Sequence, residues 1–350
     1  MKVNSLGSSS INVSEVCLGS MTWGTQNDQQ DANAQIEFAL DRGVNFIDTA
    51  EMYAVPPTPE TYGTTESIIG NWIADNASRR GEFVLATKIA GNGLPWIRQG
   101  KDIDAAAVKK SIDDSLTRLQ TDYIDLYQLH WPNRTSPHFA KHWPGMLRFS
   151  EVDAAAHEAG MYDILCALGD ARQAGKIREF GLSDDTPWGI SVYLKLAKQH
   201  GLPRPVSIQN EFSLLHTKDW PYLIENCVHE QVAYLPWSPL AGGVLSGKYI
   251  DGARPEGARW SKAQRLGLFR DTEQVNAAVK QLAQLAADHQ MTTAQLALAW
   301  CAQVDGVTST IIGATTLKQL EDNITAFDFD LSDELLAEMD KVLRSYPMPF

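Results

Sequence analysis

Eight short runs of β-branched and aromatic residues recur along the chain, and between consecutive runs lie segments of helical period. They are VCLGSM (16–21), VNFIDT (44–49), FVLATKI (83–89), YIDLYQLH (123–130), IREFGLS (177–183), VSIQN (206–210), VAYLPWS (232–238) and TSTIIGA (308–314). Strands that alternate with helices must run parallel, because each return crosses over outside the sheet, and eight such strands are the number that closes a barrel. The spacing therefore predicts an α/β fold, a (β/α)8 TIM barrel, preceded by an N-terminal β-hairpin.

The helical segments carry their own marks. Ile36, Ala39 and Leu40 share one face, as do Ile112, Leu116 and Leu119, while Gly43 and Gly175 stand where helices should stop. Ser332 and Asp333 open a stretch through Leu335, Leu336 and Met339 that predicts a final amphipathic helix outside the barrel. No linker or composition shift divides the 350 residues, so one domain over 1–350 is expected.

Charge narrows the partners. Lys and Arg number 30 against 43 Asp and Glu, a net −13, and no basic stripe is present to grip a phosphate backbone, so nucleic acid is not an expected partner. No run approaches the ~18 apolar residues of a membrane span and the first residues lack a signal peptide's apolar core, so a soluble cytoplasmic protein is expected. Cys17, Cys166, Cys227 and Cys301 are far apart, without a C-x-x-C pair, which suits reduced thiols better than a disulfide frame or zinc site. No H-E-x-x-H is present either, and no metal is expected.

Two connections exceed the usual length, about 131–160 and about 239–272, and both follow strands, so both should overhang the carboxyl-terminal face that carries the active site of such barrels. Asp48, Lys88 and His130 end three consecutive strands, with Tyr53 in the loop after the first. Each has an ordinary structural role open to it. Together on one rim they could donate a proton to a carbonyl. A tyrosine hydroxyl starts near pKa 10, and lowering it to about 7–8 takes about 3–4 kcal/mol. An ammonium about 4 Å away at an effective dielectric near 20 supplies roughly that much. Lys88 is expected to do this, Asp48 to hold Lys88 charged, and His130 to orient the substrate oxygen. None of the four is a redox group, so reduction needs a cofactor.

The segment GGVLSGK (242–248) matches the core of a phosphate-binding P-loop, but Tyr249 follows where Ser or Thr must hold Mg²⁺, and Pro239 separates it from the preceding strand. It is not expected to be one, though its glycines could let backbone approach a pyrophosphate with Lys248 as counter-charge. No G-x-G-x-x-G follows an early strand, so a dinucleotide would not be held in the Rossmann manner.

Taken together, LGSMTWG (18–24), GVNFIDTAEMY (43–53), ATK (86–88), DYIDLYQLHWP (122–132), GKIREFGLS (175–183), WSPLAGGVLSGKY (237–249) and IIGATTLKQLEDNI (311–324) resemble the aldo-keto reductases, in the branch of the Tas-like proteins and potassium-channel β subunits. The resemblance spans nearly the whole chain. It implies NADPH-dependent reduction of a small-molecule aldehyde or ketone, with Asp48, Tyr53, Lys88 and His130 as the catalytic tetrad. It also implies that Gly19, Ser20 and Met21 lie near the nicotinamide, that Ser183, Asp184 and Gln209 face its carboxamide, and that Trp237 stacks on the ring. Ser238, Pro239, Leu240 and Gly242 would cradle the pyrophosphate. Lys248, Arg259, Gly313, Thr315, Gln319, Asp322 and Asn323 would surround the adenosine and its 2′-phosphate. Three positions depart from the family pattern: Asp184 stands where Asn is usual, Asp322 where Glu is, and Trp237 where Tyr is more frequent.

Trp23, Trp131 and Trp143 are expected to wall the substrate pocket. Two other functions compete: a cofactor-holding regulatory subunit that senses redox state with little turnover, and a barrel lyase or isomerase with Lys88 as Schiff-base nucleophile.

Overall fold

A computed structural model describes residues 1–141, 143–261 and 267–348. Strands β1 (Val3–Ser5) and β2 (Asn12–Ser14) pair antiparallel, Val3 opposite Ser14, as the hairpin. The eight apolar runs become β3 (Val16–Gly19), β4 (Phe46–Asp48), β5 (Val84–Ile89), β6 (Ile124–Leu129), β7 (Ile177–Ser183), β8 (Ser207–Glu211), β9 (Ala233–Trp237) and β10 (Thr310–Ile312). All eight lie parallel in the order β10-β3-β4-β5-β6-β7-β8-β9. The ends meet just ahead of β10, where Thr308 N donates to Tyr234 O at 2.9 Å beside a Tyr234–Val307 bridge. The fold is the (β/α)8 barrel.

Strand side chains alternate between two destinations. One set points inward: Cys17, Phe46, Ala86, Leu126, Leu235 and Ile311 fill the lower barrel, and Leu6, Ile11 and Val13 of the hairpin close that end. The other set, including Ile47, Leu85, Tyr127 and Leu182, packs outward against the helices. The hairpin is thus a plug, stabilised by burying its apolar residues against a barrel mouth that would otherwise be wet.

The surrounding helices are α1 (Gln29–Asp41), α2 (Thr64–Asp75), α3 (Ala105–Leu119), α4 (Ala154–Gln173), α5 (Pro187–His200), α6 (Tyr222–His229), α7 (Glu273–Asp288), α8 (Thr293–Gln303), α9 (Leu317–Thr325) and α10 (Asp333–Ser345). Gly43 and Gly175 follow the ends of α1 and α4. Ser332 caps α10 by accepting from Leu335 N, at the position expected. One element is additional: α7 precedes the crossover helix α8, and Leu282 and Ala286 of α7 share a cluster with Leu335, Met339 and Val342 of α10. The terminal helix therefore has a helical partner outside the ring.

Both long connections leave carboxyl-terminal strand ends, between β6 and α4 and between β9 and α7, and hold only short 3-10 turns among their described residues. The glycine segment after β9 runs into such turns, not an α-helix. Gly242 and Gly243 have φ of 72° and 96°, a left-handed conformation that a side chain would strain. Among the described residues no helix is long and apolar enough to cross a membrane.

Candidate active site

The inward alternation that fills the lower barrel with apolar groups ends, one step higher, in polar ones. Asp48 follows Phe46, Lys88 follows Ala86, Gln128 follows Leu126 and Trp237 follows Leu235, each two residues on, and His130 lies two beyond Gln128. Parallel register sets Asp48 beside Ala86 and Lys88 beside Gln128, so these groups meet in one layer above the core.

The Lys88 ammonium lies wholly inside, donating to Asp48 Oδ2 at 2.5 Å and to Thr49 O at 2.9 Å. Asp48 Oδ1 accepts from Gln128 Nε2 at 3.0 Å and Gln209 Nε2 at 2.9 Å, and Gln209 Nε2 also reaches Gln128 Oε1 at 3.1 Å. Both carboxylate oxygens are thus satisfied by donors inside the protein. Lys88 is raised above its ordinary value: burial alone opposes its charge, but Asp48 outweighs that with help from Tyr53. A lysine held as ammonium is no Schiff-base nucleophile.

Tyr53 is half-buried over this pair, its ring centroid 5.2 Å from Lys88 Nζ and 5.7 Å from the His130 ring, edge to face. The tetrad is therefore brought together. The expected net lowering of Tyr53 is not found. Burial pushes its hydroxyl up, and although the Lys88 charge and hydrogen bond pull it down, Asp48 and Asp184 add to the rise. Desolvation, which residue spacing does not register, outweighs the lysine. His130 is 7% exposed, and burial and the Lys88 charge lower it well below its ordinary range, so its ring is neutral at physiological pH. Its Nδ1 is buried without a hydrogen-bond partner, which makes an imidazolium costlier still.

Ser20 Oγ donates to Asp48 O at 2.8 Å, and Gly19 packs against Ile312 and Ile311 of β10, with Met21 O accepting from Val55 N. Ser183 is register partner to Gln209 at the end of β7. Gln209 spends its amide nitrogen inside the protein, so toward a carboxamide only its oxygen remains for bonding. Asp184 has φ of 48° and is 2% exposed. Its Oδ1 accepts from Trp237 Nε1 at 3.1 Å, and burial raises its carboxyl well above the usual range. After β9, Ser238 takes φ of 57° and its Oγ accepts from Gly242 N at 2.9 Å, so Ser238, Pro239, Leu240 and Gly242 form one tight turn.

Beyond that turn stand two cations. A Cβ added to Gly243 would lie 3.1 Å from Lys248 Nζ, and one on Gly242 would lie 3.5 Å from an Arg259 terminal nitrogen. Burial lowers both, with the Arg259 charge adding to the effect on Lys248 and the Arg270 charge to that on Arg259, and neither has a carboxylate partner among the described residues. Half-buried cations without a carboxylate partner in a chain of net −13 suit a phosphate, and the residues present fit a nicotinamide dinucleotide. On the far side, Thr315 N and Oγ1 hold Gln319 Oε1 at 3.0 Å, and Asn323 Nδ2 donates to Gly313 O at 3.1 Å. Asp322 is paired with Lys318 on the surface of α9, so its carboxylate is engaged there.

Two of the three tryptophans are elsewhere than expected. Trp23 is fully buried, its Nε1 donating to Gln35 Oε1 at 3.2 Å, and belongs to the core beneath the site. Trp143 is 56% exposed, with most of its ring open to solvent. Trp131 stands beside the tetrad position, its ring 5.0 Å from His130 and packed on Gly91. Phe139 lies beside it, its ring 6.0 Å from that of Trp131 and stacked 6.3 Å from that of Trp237. Gln128 was also missed, though its two-residue spacing from His130 was a signal that could have placed it on the inner face.

Residues 15–344 match the Aldo/keto reductase family. The chain is 42% identical to Protein tas of Escherichia coli strain K12, covering 100% of this chain and 99% of that one. It is 29% identical to Uncharacterized oxidoreductase YrpG of Bacillus subtilis, covering 98% and 96%, and 36% identical to an Aldo-keto reductase of Babesia bovis, covering 69% and 88%. With a closed eight-stranded barrel, a polar layer at its carboxyl-terminal rim and a match across nearly the full length, this chain belongs to the aldo/keto reductase family.

Proposed function

We propose that this protein reduces aldehydes or ketones to alcohols with NADPH, Tyr53 being the general acid. The observation that carries this reading is the meeting of Tyr53, Lys88 and His130 around one point above a charged Asp48. A bound reduced nicotinamide supplies the hydride that none of these side chains carries. Tyr53 donates its proton to the carbonyl oxygen, and the adjacent ammonium stabilises the phenolate left behind. Lys88 can do so because Asp48 keeps it charged, and Asp48 is itself held by Gln128 and Gln209. A neutral His130 donates a hydrogen bond that fixes the carbonyl oxygen without competing as an acid.

Ser183 and the Gln209 oxygen would face the carboxamide, Trp237 would back the ring, and the Ser238–Gly242 turn would lie along the pyrophosphate. Lys248 and Arg259 favour the 2′-phosphate and hence NADPH over NADH. Trp131 and Phe139 would line the carbonyl pocket, whose apolar rings suit planar or aromatic substrates.

The test is single-turnover oxidation of bound NADPH by 4-nitrobenzaldehyde. Turnover that is lost in Tyr53→Phe, with cofactor binding kept, supports the reading. Tight cofactor binding with no oxidation of NADPH across a panel of carbonyl compounds would overturn it in favour of a cofactor-holding regulatory subunit.

A further inference from the structure

The connection between β6 and α4 is fastened to two successive aspartates after β7. Arg134 pairs with the buried Asp185 carboxylate, reaches Thr186 Oγ1 at 3.1 Å and lies over the Trp188 ring. Four residues on, His138 is 5% exposed, with Nε2 3.3 Å from Asp185 O and Nδ1 3.3 Å from Asp184 Oδ1. That Asp184 oxygen is the one that receives Trp237 Nε1. Next in sequence, Phe139 has φ of 55° and stacks on Trp237.

The protons can be counted. An imidazole nitrogen facing a backbone carbonyl must carry hydrogen, so Nε2 is protonated. Nδ1 and a carboxylate oxygen at 3.3 Å would repel if both were bare, so either the imidazole or the carboxyl carries a further proton, and the contact is an electrostatic pairing rather than an aligned hydrogen bond. The asparagine usual at position 184 could not serve both neighbours so simply. Its oxygen would accept from Trp237, yet would meet a neutral Nδ1 lone pair to lone pair.

We propose that Asp184 and His138 form a buried latch that seats the β6–α4 loop against Trp237, and that Asp184, by holding both sides, is the positioning residue that sets where Phe139 stands in the carbonyl pocket. This deepens the carbonyl-reductase reading and rests on it for its kinetic consequence, although the latch itself is a property of the protein without substrate.

The experiment compares the full-length protein with His138→Ala, Asp184→Asn and the double variant. Amide hydrogen exchange on the cofactor-free proteins should show faster exchange over residues 134–141 in both single variants, with the double no faster than the faster single. For 4-nitrobenzaldehyde, KM should rise about tenfold in His138→Ala, the worth of one charge-assisted contact, and kcat should fall much less. The double variant should show the KM of the worse single, since both changes break one link. Unchanged exchange over 134–141, or KM effects that multiply in the double variant, would overturn the latch. If no carbonyl compound is reduced at all, the carbonyl-reductase reading fails, and the exchange measurement still decides the latch.

Discussion

The Lys88 ammonium meets the Asp48 carboxylate at 2.5 Å with their side chains 0% and 4% exposed, and two glutamine amides complete the carboxylate's other oxygen. Removing one member of such a pair leaves the other charge buried. Lys88→Met should destabilise the fold by about 3 kcal/mol and abolish reduction. Asp48→Asn combined with Lys88→Met should recover part of that stability and none of the activity. Urea denaturation and NADPH oxidation measured on both proteins check the two halves separately.

The pH dependence follows from the directions of the shifts. Tyr53 is raised, so it holds the proton it must donate across the neutral range. Lys88 is raised and remains an ammonium there, and His130 is lowered and remains neutral. The kcat/KM for reduction should therefore be flat from about pH 7 to 9, without a limb near the ordinary histidine value of about 6.5. A break at that value, lost in His130→Gln, would show that His130 titrates and that burial does not control it.

Lys248 and Arg259 flank the glycine turn without carboxylate partners among the described residues. Arg259→Ala should weaken NADPH binding by about 2 kcal/mol, roughly thirtyfold in Kd, and leave NADH binding within about threefold, the difference being one charged contact to phosphate. Cofactor fluorescence titration measures both. Equal weakening for the two cofactors would mean that Arg259 acts elsewhere than at the 2′-phosphate.

Through one buried histidine the fold should lose stability as the pH falls. His216 is buried, and burial with the nearby Arg270 and Lys218 charges lowers it to about 4, against the partly offsetting bond to Glu211 O. Its folded value lies below the unfolded one, so the unfolded chain takes up the proton first. Stability is thus full above about pH 6.5 and declines as pH falls toward 4, by about 2 kcal/mol at pH 5 from this residue alone. His130 acts in the same direction. Asp219, raised to about 6 by burial, acts in the opposite direction, so the histidine's share is read as a difference: between pH 7 and pH 5 the urea midpoint of His216→Gln should fall less, or rise more, than that of the unaltered protein.

Much of the molecule was legible in the chain itself because it depends on local period. Eight apolar runs each became a strand within two residues of the expected ends, and Ser332 capped the terminal helix. The polar residues at strand ends followed from the same alternation that put Phe46, Ala86 and Leu126 into the barrel, which is why Asp48, Lys88 and His130 could be named together. Period two also contained Gln128, passed over because an amide carries no chemistry of its own.

What tertiary structure decided is everything that depends on how deeply a group is buried and which distant segment covers it. Trp23 and Trp143 are equivalent as letters, yet one lies under the barrel rim and the other in solvent. The sign of the Tyr53 shift turned on desolvation, which no spacing reports, and on the carboxylates of residues 48 and 184 arriving from separate strands. Asp184 meets His138 across 46 residues of sequence, and the segment carrying His138 has no period to read. Alternation is enforced by the backbone and is written into adjacent residues, whereas dielectric environment and long-range pairing exist only once the barrel has closed and the loops have settled on its rim.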